Sequence, residues 1–440
     1  MVATSLQERV LIQELSQSGM SDPQIARQMG LSVHTVRKWR RKGQAPGLKA
    51  LVSQMGRPAQ GFLSSFDPDI GATLRAWREA HPGWGAKTLE AELLRSQLFA
   101  GRCLPSRRAI AYWLNQEDFS RPYDKHQPLP QGAISLAQAC HEEWEMDARG
   151  YEKVAGVGVV ALINLNDVFS RVKLLSYPVW LGDTRVCRHA STEDYRLALR
   201  LAFVEWGLPD RLAVDHDSIF YDNTSKSPYP TGLHLWLLAL DVELTFGRPG
   251  LPQDQAITER SHQTWDQQVL QGQAFASQQA LWRQLEARKV FLNHWLPCAS
   301  LGDQPPLVAH PEALLPRRIY RPEWEAQQMD LERVYAYLSQ GRWFRKASNV
   351  GVLKLGQESY WLGRDWQRRE VEITFAAEDQ HMVFRAAGEE KRLPVKGLTV
   401  DKLMGEIGPL VQLNNFQLSL PFTWNEWRQI QSCRLLTGTT

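Results

Sequence analysis

Residues 192–220, TEDYRLALRLAFVEWGLPDRLAVDHDSIF, contain one change of period. From Thr192 to Trp206 apolar residues recur at helical spacing; after the Gly207-Leu208-Pro209 break, Arg211–Asp215 is a short buried strand ending on a carboxylate. The flanks extend this helix-then-strand unit. Upstream, Val157–Asn164 and Val172–Tyr177 read as neighbouring strands. Downstream, Leu233–Leu240 reads as a helix, Val242–Phe246 as a strand, and Asp254–Leu270 and Ser277–Trp295 as helices. The order predicts two or three antiparallel strands followed by parallel crossovers, an α/β core spanning residues 139–300.

The chain before this core has a different composition. Residues 1–116 carry 16 Lys/Arg against 8 Asp/Glu, and this +8 leaves −5 of the total +3 for the remaining 324 residues. A basic front end on an acidic body points to a polyanion-binding module. Between Leu6 and Arg41 the apolar residues Val10, Leu11, Leu15, Ile25, Met29, Val36 and Trp39 fit three short helices. Breaks fall at Gly19 and Gly30, with Ser21 and Ser32 placed to cap the following helices. This is the punctuation of a helix-turn-helix (residues 1–45). Its third helix would present His34, Thr35, Arg37, Lys38, Arg40 and Arg41 to a major groove. A linker (46–66) contains Gly56-Arg57-Pro58, where Arg57 is placed to follow a phosphate backbone or minor groove. A second helical unit (67–116) has Trp77, Trp84, Leu89, Leu93 and Leu94 as core candidates, and Arg107 and Arg108 open its last helix. A Pro-containing linker (117–138) follows.

Beyond the core, residues 301–341 read as a connecting helical segment. Residues 342–398 alternate as strands with Gly or acidic turns and are expected to form a small β-barrel or sandwich. The fold class expected is therefore multidomain: all-α helix-turn-helix domains, an α/β core and an all-β module, with a tail at 399–440 of unassigned role. No uncharged apolar run of about 18 residues occurs, and Met1 does not open a signal-like segment, so no membrane partner and an intracellular location are expected. The five cysteines are far apart and lack CxxC spacing, which suggests neither a disulfide framework nor a zinc site. No GxxxxGK[ST] motif is present, so no ATP site is expected within the chain.

Three acids lie at the ends of core elements: Asp147 where the first strand begins, Asp215 at the end of Arg211–Asp215, and Glu259 inside a helix. Strand ends of an open α/β sheet are where ligands gather. Carboxylates converging there repel one another unless cations neutralise them, and hard oxygen ligands select Mg²⁺ or Mn²⁺.

The residues around these acids resemble the DDE catalytic core of the integrase/transposase superfamily over about Cys140 to Leu270. The resemblance is carried by Trp144-Glu145-Met146-Asp147, Asn166-Asp167-Val168-Phe169-Ser170-Arg171, Val214-Asp215-His216-Asp217-Ser218-Ile219-Phe220 and the stretch Arg248–His262. It implies a ribonuclease-H-like core in which Asp147, Asp215 and Glu259 are catalytic and hold two Mg²⁺ (or Mn²⁺) ions. His216-Asp217 stands where the family usually has Asn-Gly after the second Asp, which makes Asp217 a competing ligand, although the five-residue offset to Phe220 favours Asp215. The 43 residues between Asp215 and Glu259 exceed the usual interval, with the surplus expected in the loop 222–231. The front end is similar to the paired helix-turn-helix domains of bacterial insertion-sequence transposases, through His81-Pro82-Gly83-Trp84-Gly85 and Arg107-Arg108-Ala109-Ile110. The implied activity is a DNA transposase that binds double-stranded DNA at element ends, exposes 3′-OH groups and joins them to target DNA. Partners implied are element and target DNA and further copies of the chain in a homo-oligomer, with an ATPase helper as a further candidate, in the bacterial cytoplasm. The alternative is a transposase-derived, non-catalytic DNA-binding protein. Arg260 and His262 read as phosphate contacts or as a solvated helix face, Asp167 as a structural hydrogen-bond acceptor, and Trp144 as packing.

Overall fold

The computed structural model describes residues 4–43, 51, 62–120, 137–183, 185–220, 227–247 and 256–408, the side chains of 256–258 excepted. Arg57, the segment Arg248–Gln255 and the tail from 409 lie outside the described residues.

The front end folds as three short helices, α1 (Leu6–Gln17), α2 (Asp22–Met29) and α3 (Val33–Lys42). Their boundaries follow from local chemistry. Gly30 ends α2 in the left-handed region at φ 66°, and the Ser32 hydroxyl accepts the Thr35 N–H to open α3. Ile12, Ile25, Val36 and Trp39 form the core. Leu11, expected in that core, is 42% exposed; Ile12 fills the place, because the stripe rotates by one position from the one read off Val10 and Leu15.

A second unit comprises α4 (Pro68–Ala80), α5 (Ala86–Ser96) and α6 (Arg107–Gln116), packed on Ile70, Leu74, Leu89, Leu93, Ile110 and Trp113. Trp84 is buried as expected, but Leu94 is exposed.

The α/β core holds β1 (Glu143–Val154), β2 (Gly158–Asp167), β3 (Lys173–Asp183), β4 (Val186–Cys187), α7 (Thr192–Trp206), β5 (Arg211–Val214), α8 (Gly232–Ala239), β6 (Glu243–Phe246), α9 (Ala256–Trp265) and α10 (Gln278–His294). The six strands lie in the order β4-β3-β2-β1-β5-β6. β1 pairs antiparallel with β2 but parallel with β5, which in turn pairs parallel with β6. β2 is buried on both faces because helices cover both. Ala161, Ile163 and Leu165 join the cluster that includes α7 and α8, whereas Val160 and Leu162 join Leu281 and Leu285 of α10. The helix expected over Asp254–Leu270 is α only to Trp265 and continues as a π-helical turn, Asp266–Leu270.

Residues 306–339 contribute α11 (Pro306–Ala309), α12 (Glu325–Gln328) and α13 (Leu331–Ser339). β7 (Trp343–Lys346), β8 (Val352–Leu355), β9 (Glu358–Trp361), β10 (Glu370–Ala376), β11 (His381–Ala386) and β12 (Glu389–Pro394) follow, with α14 (Val400–Met404) last. The expected β-barrel is not closed among the described residues. β12-β11-β10-β7 make a four-stranded antiparallel sheet and β8-β9 a separate ribbon. Tyr360 of the ribbon packs on Phe384 of the sheet, ring centroids 5.2 Å apart. Nor is this module separate from the core, since its apolar residues merge with those of the α/β sheet in one cluster.

A buried ion pair ties these parts together. The Arg200 guanidinium donates to both Glu325 oxygens at 2.9 and 2.6 Å, and to the Met404 and Glu406 carbonyls at 2.6 and 2.9 Å. Trp236 Nε1 and the Tyr320 hydroxyl donate to the same carboxylate.

Candidate active site

β1 and β5 run parallel in the register Glu145 to Ala213. Two residues beyond that pair, Asp147 lies within β1 and Asp215 is the first residue past β5, so both stand where the short strand ends beside the longer one. Asp147 faces Asn164 of β2, on the side covered by α9. Beneath α9, Asn166 Oδ1 accepts from Ser261 Oγ at 3.0 Å and from Lys173 Nζ at 2.8 Å, which holds the helix on the sheet two residues beyond the exposed Glu259. Three carboxylates 112 positions apart in sequence thus share one end of the sheet.

Their electrostatics are those of mutually repelling anions. Asp147 is raised above the ordinary carboxylate range by burial and, against a hydrogen bond from the Ala148 N–H, by Asp217 and Glu259. Asp215 is raised by burial and by Asp147 and Asp217, against the Asp217 N–H that it accepts at 3.0 Å. The Tyr195 hydroxyl is pushed up by burial and then by Asp217, Asp215 and Asp147. Among the described residues no Lys or Arg pairs with Asp147 or Asp215; the nearby His262 Nε2 is 3.7 Å from Asp147 Oδ2, too long for a hydrogen bond. Burial, then Arg149 and Lys173, depress His262 to about 4, so it is neutral near pH 7 and does not compensate the acids. Asp217 Oδ1 is engaged by the Ser218 hydroxyl at 3.1 Å and the Ile219 N–H at 3.2 Å, a local turn that occupies the carboxylate competing with Asp215.

Asp167 is fully buried and accepts from the His141 N–H, the Ser170 N–H and the Ser170 hydroxyl. Trp144 is fully buried and donates to His141 Nδ1 at 3.1 Å.

The basic residues fall into two groups. On α3, His34, Arg37, Lys38 and Arg41 are exposed while Thr35 and Arg40 are half-buried. Arg37 and Arg40 lean on Asp22 of α2 at 3.4 and 2.7 Å. On the second unit, Arg107 pairs with Glu90 at 3.0 Å and reaches Asp303 at 3.4 Å, while Arg108 donates to the Tyr112 hydroxyl at 3.1 Å. Arg260, exposed beside Glu259, acts with Arg107 on Lys87, whose pKa is lowered first by burial and then by these guanidinium groups. Lys87 was not legible as a site residue, since in sequence it is one cation near the start of an amphipathic helix.

The expected contact of the second unit with DNA has a structural competitor. His81-Pro82-Gly83-Trp84 docks on the core: Trp84 Nε1 donates to the Gln268 carbonyl at 3.4 Å, and Gln268 Nε2 to Thr88 Oγ1 at 2.9 Å. Arg288 stacks 4.3 Å from the Trp84 ring centroid and 3.7 Å from that of Phe291 while pairing with Glu92. A groove of about 1140 Å³ runs from the Asp217 turn at Ser218 and Ile219, between the core and the β module, where Arg345, Lys346 and Lys354 line it.

Residues 3–52 match the homeodomain-like domain family, so the front end is a homeodomain-like helix-turn-helix. Among solved structures, the chain is similar to one chain of the cryo-EM structure of the simian T-cell lymphotropic virus intasome in complex with PP2A regulatory subunit B56 gamma. Identity is 12%, 74% of this chain and 99% of that one are covered, and the TM-score is 0.33. It is also similar to the HTLV-2 integrase catalytic core domain in complex with magnesium. The trimeric form gives 11% identity over 39% of this chain and 96% of that one, with a TM-score of 0.28; the dimeric form gives 11%, 39%, 95% and 0.27. No described helix is long and apolar enough to cross a membrane.

Proposed function

We propose that this chain is a DNA transposase or integrase that cuts element ends and joins them to target DNA at Asp147, Asp215 and Glu259. The observation that carries the reading is the approach of Asp147, on β1, to Asp215, just past the end of the neighbouring parallel strand β5, both raised first by burial and then by nearby carboxylates, and neither compensated by a described Lys or Arg. The strand order, β1, β2 and β3 antiparallel with the two-residue β4 at the edge, extended by β5 and β6 parallel to β1, supports a ribonuclease-H-like core. The donor set fits Mg²⁺ or Mn²⁺, because it offers hard carboxylate oxygens and excess negative charge. When bound, two such ions would activate the attacking oxygen and stabilise the leaving one in an in-line displacement at phosphorus.

The protein residues supply position and charge. Asp147 and Asp215 are fixed by the sheet, and Glu259 comes from a helix pinned through Ser261 and Asn166. Arg260, Lys87 and Arg107 form a cationic edge suited to a phosphate backbone, and His34, Thr35, Arg37, Lys38, Arg40 and Arg41 of α3 are suited to a major groove. His262, neutral near pH 7, contributes no proton to the displacement. Joining two ends in one event requires at least two copies of the chain.

The test is a strand-transfer assay of the full chain with Mg²⁺ or Mn²⁺ and DNA carrying the ends of the encoding element, with Asp215→Ala alongside. Joined product from the wild type alone is expected. DNA binding by both proteins with neither cleavage nor joining would replace this reading with a non-catalytic DNA-binding protein.

A further inference from the structure

The segment between the core and the β module crosses the start of β1, and there Cys140, His310 and Glu312 meet. Cys140 Sγ lies 3.8 Å from Glu312 Oε1, and His310 Nδ1 lies 2.9 Å from the same oxygen. One ligand atom from each residue lies within 4.8 Å of the other two. A tetrahedral ion with metal–sulfur bonds of about 2.3 Å and metal–nitrogen or –oxygen bonds of about 2.0–2.1 Å sets the ligand atoms roughly 3.3–3.6 Å apart. The observed separations bracket that range, so small side-chain rotations would suffice to close the three groups on one ion.

We propose that Cys140, His310 and Glu312 form a binding site for one borderline divalent cation of the zinc class, with water in the fourth position. The donor chemistry selects the ion. Sulfur and imidazole ligands suit zinc and its neighbours and disfavour Mg²⁺, whereas Asp147, Asp215 and Glu259 offer only oxygen. The two sites therefore take different metals and are assayed independently.

The surroundings hold His310 and the backbone beside Cys140 in place. The His310 ring packs against Phe169, centroids 4.9 Å apart. Next to Cys140, the His141 N–H is anchored on Asp167, which also organises Ser170. Binding would displace the thiol proton of Cys140 to solvent and replace the His310–Glu312 hydrogen bond with two metal bonds. The site would clip the segment around 310–312 to the strand that carries Asp147. Local spacing gives no hint of it, because the outer ligands are 172 positions apart.

The test is a Co²⁺ titration of the full chain, reduced and stripped with chelator. One equivalent should produce a near-ultraviolet thiolate-to-cobalt band and intense visible bands, both abolished by added Zn²⁺. Cys140→Ser should lose the near-ultraviolet band. Glu312→Ala, at an exposed position, and His310→Ala should each weaken cobalt binding by about tenfold or more while circular dichroism is unchanged. No band in the wild type overturns the proposal. So does a band that survives Cys140→Ser, or one insensitive to both His310→Ala and Glu312→Ala. If Cys140→Ser fails to fold, the other two variants decide.

Discussion

Gly83 sits so close to Gln267 that a Cβ on it would fall 2.0 Å from the Gln267 carbonyl oxygen. The contact is backbone to backbone, so no side-chain rotation relieves it. Gly83→Ala should force the second helical unit off the π-helical turn and cost about 1–3 kcal/mol, the usual range for overpacking. Thermal unfolding followed by tryptophan fluorescence checks this, because Trp84 and its stacked Arg288 report the same contact. An unchanged midpoint would show that the two units do not meet this way.

Glu325→Ala leaves the Arg200 guanidinium buried without its carboxylate, at 2% side-chain exposure. Breaking a buried pair from one side costs about 3–5 kcal/mol. Denaturant unfolding should show this loss, and replacing both residues with apolar ones should recover most of it. A loss below about 1 kcal/mol would place Arg200 in contact with water.

His234 on α8 is held neutral by burial, which depresses it to about 4. The unfolded chain protonates near the ordinary value of 6.5, so the stability His234 contributes is complete above that pH. It is lost as pH falls from 6.5 toward 4, to a total of roughly 3 kcal/mol. His234→Leu should flatten the pH dependence of the unfolding free energy across that window. A variant with the wild-type slope would mean that another group titrates there.

Asp147→Asn and Asp215→Asn should each reduce strand cleavage by about 10³-fold or more, given several kcal/mol of charge stabilisation at such a site. Their folded pKa values are raised, so both ionised acids weigh against the metal-free fold above the carboxylate range. Each Asn variant should therefore unfold at a higher temperature than the wild type at neutral pH without metal. The gain should vanish as pH falls below that range, and added Mg²⁺ should stabilise the wild type more than either variant. Equal responses to Mg²⁺ would place the ion elsewhere.

The sequence was most legible where one period ran uninterrupted. Thr192–Trp206 has the bounds its apolar run indicates, because Ser191 caps its start and Gly207 ends it. Short edge elements left no such trace. β7 is four residues, Trp343–Lys346, with one buried side chain, and β12 is Glu389–Pro394 with none. Of the acids, Asp215 was placed at a strand end and stands directly after β5, whereas Asp147, expected at the start of a strand, lies inside β1. Their mutual approach depends on β5 pairing with β1 across an intervening helix, which no local pattern encodes. The docking role of Gly83-Trp84 was invisible for the same reason: Gln268 lies 184 positions away.

Helix α9 and its π-helical continuation have a foot in each half of the molecule. Glu259 stands near the beginning, and Gln267 and Gln268 near the end are clasped by the second helical unit, about 14 Å further along the axis. A rod of that length transmits torque with little bending. A load placed on the second helical unit is therefore felt at the start of the same rod, where Glu259 stands, so clasp and carboxylate are set on a common shaft.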